Sequence, residues 1–214
     1  MKARVTIVDY GVGNLFSVRG ALEYCGAEPE LSSSPEAVEN AERLLLPGVG
    51  AFADSMADMR DCGLVEPVRA FVENGGPLLG ICLGMQMLFA QSEEFGVHEG
   101  LGLIPGMVAA IPPTGADGTP HRIPHVGWNE LTVPEDGDWE GTILDGVAPG
   151  TSVYFAHSFM ASPGDRSHRL ADCDYDGRTV SAVVRSGNTY GCQFHPEKSG
   201  ETGLKILRNF IALQ

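Results

Sequence analysis

Three short, apolar, strand-like runs, Val5–Val8, Leu44–Leu46 and Leu78–Ile81, each stop at a glycine-bearing turn, and helical spacing follows each of them. Such runs are too short for helices. They also lack the apolar–polar alternation of a half-exposed strand, so they read as strands covered on both faces. After Gly11-Val12-Gly13-Asn14, Leu15, Val18 and Leu22 recur at i, i+3 and i+7, and Gly26 stands where a helix ends. Glu28–Leu31 reads as a weak strand, and Ser34-Pro35-Glu36 as a helix cap with proline in the first turn. Phe52–Arg60 and Leu64–Asn74 read as helices, the second ended by Gly75-Gly76, and a further helix is predicted from Leu83 to about Gln91. Strands that alternate with helices in this way imply an α/β protein with a central, mostly parallel sheet.

From about Met107 the texture changes. Met107–Ile111, Asn129–Val133, Val153–Phe159, Leu170–Cys173, Val180–Val184 and Tyr190–Phe194 are strand-like, and Gly, Pro and Asp break them apart. This is an added, β-rich second half. One amphipathic helix closes the chain, with Leu204, Leu207, Phe210 and Ile211 on one face. The Pro/Gly-rich stretch 112–124 reads as a loop rather than a linker, because neither side is self-sufficient. A single domain over residues 1–214 is expected.

A formal net charge of −14 argues against nucleic acid or an anionic membrane as the main partner. No run approaches the roughly 18 consecutive apolar residues of a membrane span. The five cysteines, at positions 25, 62, 82, 173 and 192, are odd in number and widely spaced, so no disulfide framework is suggested. The opening residues, Met1-Lys2-Ala3-Arg4-Val5, run directly into the first strand. A reducing, cytoplasmic setting is expected, where an activated thiol persists.

Gly80-Ile81-Cys82-Leu83-Gly84 follows the apolar segment Pro77-Leu78-Leu79, and places a thiol between two glycines on a strand-to-helix turn. This is the pattern of a nucleophile elbow. At the first turn of a helix the positive end of the dipole favours the thiolate, the form that attacks. Far along the chain, Gln193-Phe194-His195-Pro196-Glu197 offers an imidazole and a carboxylate two residues apart. They suit a base and its orienting acid, and on a continuing strand they would share one face. Acyl transfer also needs donors for the developing oxyanion. The N–H of Leu83 is one candidate, and the turn Pro47-Gly48-Val49-Gly50 can supply another. Gly11-x-Gly13 lacks the third glycine of a dinucleotide fingerprint, since position 16 is Phe16. No cofactor is expected. Nor is a metal: prolines at 120 and 124 keep His121 and His125 off a shared helical face. Trp128 suits either the core or an interface.

Gly-Ile-Cys-Leu-Gly-Met-Gln (80–86) with Gln-Phe-His-Pro-Glu-Lys-Ser (193–199) resembles the signature of class I glutamine amidotransferases. Four further segments, 9–15, 46–52, 123–129 and 154–159, resemble the glutaminase subunits of imidazole glycerol phosphate synthase, of histidine biosynthesis. The resemblance runs in order from residue 5 to the C-terminus. It implies a flavodoxin-like three-layer fold and hydrolysis of L-glutamine to glutamate and ammonia. By the same resemblance Cys82 is the nucleophile that forms a thioester, His195 the base and then the acid, and Glu197 its orienter. Val49 and Leu83 match the oxyanion donors. Gly50, Gln86, Ser158 and Phe159 match positions that hold glutamine, although the family usually carries Tyr where Phe159 stands. Asn14, Trp128 and Lys198 match a partner interface.

The resemblance accounts for the whole length, which leaves no synthase domain to receive ammonia. Ammonia is mostly protonated at neutral pH and then poorly nucleophilic, so a second chain is expected over the site. The resemblance implies a (β/α)₈-barrel cyclase subunit, whose docking with bound nucleotide would reorganise Pro47–Gly50. The glutaminase of another synthase, a regulatory subunit with a vestigial site and a Cys-His-Glu peptidase are the other readings. The segment 123–129 speaks against the first of these, the intact Cys82, His195 and Glu197 against the second, and Gln86 against the third.

Overall fold

A computed structural model describes residues 2–135 and 137–213. Its first half alternates as the sequence predicts: β1 (Arg4–Val8), α1 (Leu15–Tyr24), β2 (Glu28–Ser32), α2 (Pro35–Glu39), β3 (Leu44–Leu46), α3 (Phe52–Asp61), α4 (Val65–Glu73), β4 (Leu78–Ile81) and α5 (Leu83–Met87). The second half is mostly strand: β5 (Phe89–Ser92), β6 (His98–Glu99), β7 (Ile104–Ala110), β8 (His125–Glu130), β9 (Ser152–His157), β10 (Phe159–Pro163), β11 (Arg169–Tyr175), β12 (Arg178–Ser186) and β13 (Thr189–Cys192). Helix α6 (Gly200–Ala212) closes it.

The main sheet has the order β11-β12-β13-β4-β3-β1-β2. Its strands from β13 to β2 run parallel, while β12 and β11 pair antiparallel at one edge. Counted from the β2 edge, this is the flavodoxin-like strand order, in agreement with the three-layer α/β fold that the resemblance implied. The reason lies in the uninterrupted apolar strands: every residue of β3 and β4 is buried, so each face needs a helical cover. Val18 and Leu22 of α1 pack with Ile206, Leu207 and Phe210 of α6 over one face. Val38 of α2, Met56 of α3 and Val68 and Phe71 of α4 cover the other. A second sheet, β10-β7-β5-β6, and the antiparallel pair β8–β9 are built from the second half.

Three expectations are corrected. The helix after Cys82 ends at Met87 rather than near Gln91. The returning chain donates to its last carbonyls, Leu101 N to Met87 O at 2.8 Å and Leu103 N to Leu88 O at 2.9 Å, and Phe89 is drawn into strand pairing with Ile104. The strand expected at 129–133 instead spans His125–Glu130. It begins directly after Pro124, the last residue of the stretch 112–124 expected to be loop. On α6, the buried stripe is Gly203, Ile206, Leu207 and Phe210, with Leu204 and Ile211 only partly covered.

The strands β3, β4 and β13 end at one edge of the sheet, and there the backbone comes very close to itself. A Cβ on Gly84 would run into the carbonyl oxygen of Leu46, and one on Gly48 would stand 2.7 Å from Gly84 N. Only glycine lets the turn after β3 lie against the turn after β4. The Gly84→Ala chain is expected to lose about 3 kcal/mol of stability. Its melting temperature in differential scanning calorimetry should fall by roughly 6–12 °C. Gly20→Ala is the control: it lies inside α1 with open space at the Cβ position, and should stabilise slightly.

Candidate active site

At this edge Cys82 has φ 54° and ψ −110°, a left-handed conformation that a non-glycine residue adopts only when its surroundings enforce it. The enforcement is visible. Cys82 N donates to Cys192 O at 2.7 Å, tying the elbow to β13, and Gln86 N donates to Cys82 O at 3.1 Å. The turn points the thiol into a cavity of about 540 Å³, lined among others by Val49, Gly50, Leu83, Gln86, Glu94, Ser158, Phe159, His195 and Lys198. Leu83 is the first residue of α5, so its N–H has no partner within the helix. Val49 is 41% exposed at the mouth. Its loop is anchored one turn back, where Tyr10 Oη donates to Pro47 O at 2.6 Å.

His195 lines the same cavity, and its Nδ1 lies 2.9 Å from Glu197 Oε1. The expected contact is therefore present, but the expected reason is not. The strand β13 stops at Cys192, and Pro196–Lys198 forms a single 3₁₀ turn. That turn, opened by the fixed φ of Pro196, folds the carboxylate back under the imidazole. His195 is itself fixed by its backbone: its N–H donates to Tyr154 O at 2.9 Å, and Ser199 Oγ donates to its carbonyl at 2.7 Å. Burial works against a charge on the ring. The sulfur of Cys82 and the carboxylate of Glu197 outweigh it, and the pKa of His195 is pushed up to about 9. The Glu197 side chain is 1% exposed, and its Oε2 has no hydrogen-bond partner among the described atoms. An imidazolium is its compensating charge. A thiol, an imidazole held as a cation and a buried carboxylate can form, protonate and break an acyl–sulfur bond.

Gln86 is buried, and its Nε2 donates to Phe159 O at 3.0 Å and to Gln193 Oε1 at 3.0 Å. Trp128 proves to be surface, 59% exposed. Its ring meets Tyr154 edge-on with centroids 6.0 Å apart, and Lys198 Nζ lies 6.0 Å from the same Tyr154 ring. Trp128 and Lys198 thus share one surface at the cavity mouth, which Val126, 57% exposed, extends. Asn14 lies apart from the cavity lining, at the N-terminus of α1, and its side chain makes no capping bond. Of the two remaining histidines considered, His121 pairs with Asp176 and His125 with His157.

The sequence reading missed two groups. Glu94 is a buried carboxylate on the cavity wall that accepts from Phe52 N at 2.7 Å. Nothing in its local sequence marks it, because its partner comes from α3. Gln193 sat inside a recognised motif, but its contact with Cys82, Nε2 to Sγ at 3.9 Å, is made only by tertiary folding.

The fold and this site define a class. The family model described as glutamine amidotransferase class-I matches residues 6–213, and the chain belongs to that family. Solved structures with the same fold include PurLQS from Thermotoga maritima, with TM-score 0.72, 23% identity and 98% of each chain covered. A glutamine amidotransferase from Thermotoga maritima has TM-score 0.62 and 15% identity, over 94% of this chain and 79% of that one. Within the class, the chain belongs to the family of imidazole glycerol phosphate synthase subunit HisH. It is 54% identical to subunit HisH 1 of Legionella pneumophila (strain Lens), covering 98% of this chain and 99% of that protein. It is 47% identical to subunit HisH of Geobacillus kaustophilus, covering 98% and 96% respectively.

The charge on His195 is directly measurable. Imidazole NMR is expected to show it titrating near 9 in the wild-type chain. In Glu197→Gln the value should fall, because the carboxylate is gone and only the Cys82 sulfur is left to offset burial. The sign for stability follows. With the folded-state value raised above about 6.5, the contribution is fully present below that pH and is lost as the pH rises through about 9.

Proposed function

We propose that this chain hydrolyses L-glutamine to glutamate and ammonia through a thioester on Cys82. The ammonia passes to a (β/α)₈-barrel cyclase subunit that makes imidazole glycerol phosphate and AICAR in histidine biosynthesis, in a cytoplasmic setting. The single observation that carries this is the line Cys82–His195–Glu197 opening on a cavity walled by Gln86, in a chain of the HisH family.

The sulfur of Cys82 attacks the carboxamide carbon, and the oxyanion receives the N–H groups of Leu83 and Val49. His195, held as the imidazolium by Glu197, gives its proton to the leaving nitrogen, and the C–N bond breaks. Ammonia departs and a thioester remains. The now neutral His195 takes a proton from water, whose oxygen adds to the thioester, and the C–S bond breaks to release glutamate and the thiolate. Both amide protons of Gln86 are used inside the protein, so it offers glutamine its oxygen. The Glu94 carboxylate suits the α-ammonium group, and Gly50, Ser158 and Phe159 complete the wall. The exposed Trp128 and Val126 with Lys198, together with Asn14, whose neighbour Gly13 lies against Pro47, form the docking face for the cyclase. A partner seated there meets Val49, which links docking to the oxyanion donors.

The test is glutamate release from glutamine by the purified chain, alone and with the cyclase subunit carrying its nucleotide substrate. Low activity alone and strong activity in the loaded complex are expected, and Cys82→Ser should lower the latter by at least about 10³-fold. An unaffected Cys82→Ser chain would overturn the chemistry. Equal rates with and without the loaded partner would move the chain to a different synthase.

A further inference from the structure

The oxygen of the Phe159 carbonyl lies 3.0 Å from Gln86 Nε2 and 2.8 Å from His157 Nδ1. A carbonyl oxygen only accepts, so both contacts have a single possible polarity. His157 must carry its proton on Nδ1. Its Nε2, 3.0 Å from His125 Nδ1, is then a bare acceptor, and His125 must also be protonated on Nδ1. The remaining nitrogen of His125 faces the Asn129 amide nitrogen at 3.5 Å, which is a donor. Neither ring has room for a second proton. Burial accordingly holds both pKa values down to about 4.

The same reasoning runs the other way from Phe159. Gln86 has its nitrogen turned to the carbonyl, so the atom of Gln193 that it meets at 3.0 Å is the oxygen. The nitrogen of Gln193 is thereby turned to the sulfur of Cys82, at 3.9 Å. Gln193 is fully buried, and its own backbone N–H is held by Ala182 O at 2.9 Å. The directions of the whole line are thus fixed: His125 to His157 to the Phe159 carbonyl on one side, Gln86 to Gln193 to Cys82 on the other.

We propose that His157 and Gln193 are positioning residues that clamp Gln86 and Phe159 from opposite sides, so that the Cys82 sulfur always faces an N–H donor and the cavity always faces the oxygen of Gln86. This rests on the glutaminase reading for its effect on turnover. The hydrogen-bond directions stand independently of it.

Three measurements test the proposal. Nitrogen NMR of the chain in complex with the cyclase subunit is expected to show both His125 and His157 as neutral Nδ1–H tautomers at pH 7, and an Nε2–H form or an imidazolium at either would overturn the line. In Gln193→Glu an oxygen faces the sulfur in place of the donor. Iodoacetamide should then alkylate Cys82, followed on its own peptide by mass spectrometry, about tenfold more slowly at pH 7, with the pH profile displaced toward alkali. Gln193→Met, which adds no buried charge, should slow alkylation in the same direction, and wild-type profiles in both would refute the role of Gln193. His157→Phe should raise KM for glutamine about tenfold, while His157→Asn, whose amide nitrogen can replace Nδ1 as donor to Phe159, should come back to within about threefold of wild type. Equal losses in these two variants would reduce His157 to a packing role. Failure of the wild-type complex to hydrolyse glutamine would strike the glutaminase reading, and would leave the tautomer and alkylation results to decide this proposal.

Discussion

The close approach of two turns governs the rest of this molecule. The turn after β3 lies directly on the turn after β4, with the Leu46 carbonyl where a Cβ on Gly84 would be and Gly48 packed against Gly84 N. The chain between β4 and that contact turns sharply at Cys82, and the hydrogen bond from its N–H to Cys192 O holds it in the left-handed conformation. A thiol presented this way lines the cavity at the sheet edge, whereas Cys173 and Cys192 lie wholly within the core. The same contact brings Val49 and Leu83 to one cavity wall. The backbone strain at one residue is thus the means by which the Cys82 thiol and the backbone of Val49 and Leu83 come to share a site.

Three buried histidines stand close together around that site, and they are pushed in opposite directions. His195 has a buried carboxylate against Nδ1 and a sulfur close by, and is raised to about 9. Burial lowers both His125 and His157 to about 4, with His121 adding to it at His125 and with His125 and His195 adding to it at His157. The result is one cation beside the Cys82 sulfur, next to two rings that serve as neutral hydrogen-bond carriers. The difference is set by the Cys82 sulfur and one buried carboxylate, Glu197, which act on His195 alone of the three.

The second half of the chain supplies the cover. The strands β8, β9 and β10 bring Val126, Ala156 and Ser158–Phe159 over the edge of the parallel sheet, closing a cavity that the first half alone would leave open. On β8, His125 points inward and is buried, while the alternating Val126 and Trp128 face out. One short strand therefore carries both the end of the internal hydrogen-bond line and the apolar surface at the cavity mouth.

Much of this was legible in the residues themselves. The parallel sheet could be read from apolar runs too short for helices and too unbroken for exposed strands, and Cys82, His195 and Glu197 from their motifs. These features are local: a strand, a turn glycine and a neighbouring proline declare themselves within a few positions. The early end of α5, the burial of Glu94 against Phe52 N and the polarity of the line through Gln193 were decided by partners far away in sequence. A hydrogen bond between residues a hundred positions apart leaves no periodicity to read. The sequence by itself therefore determined which chemical groups the site holds. Only the tertiary structure decided which atom of each group faces which, because a buried donor or acceptor is oriented by the single partner that packing places beside it.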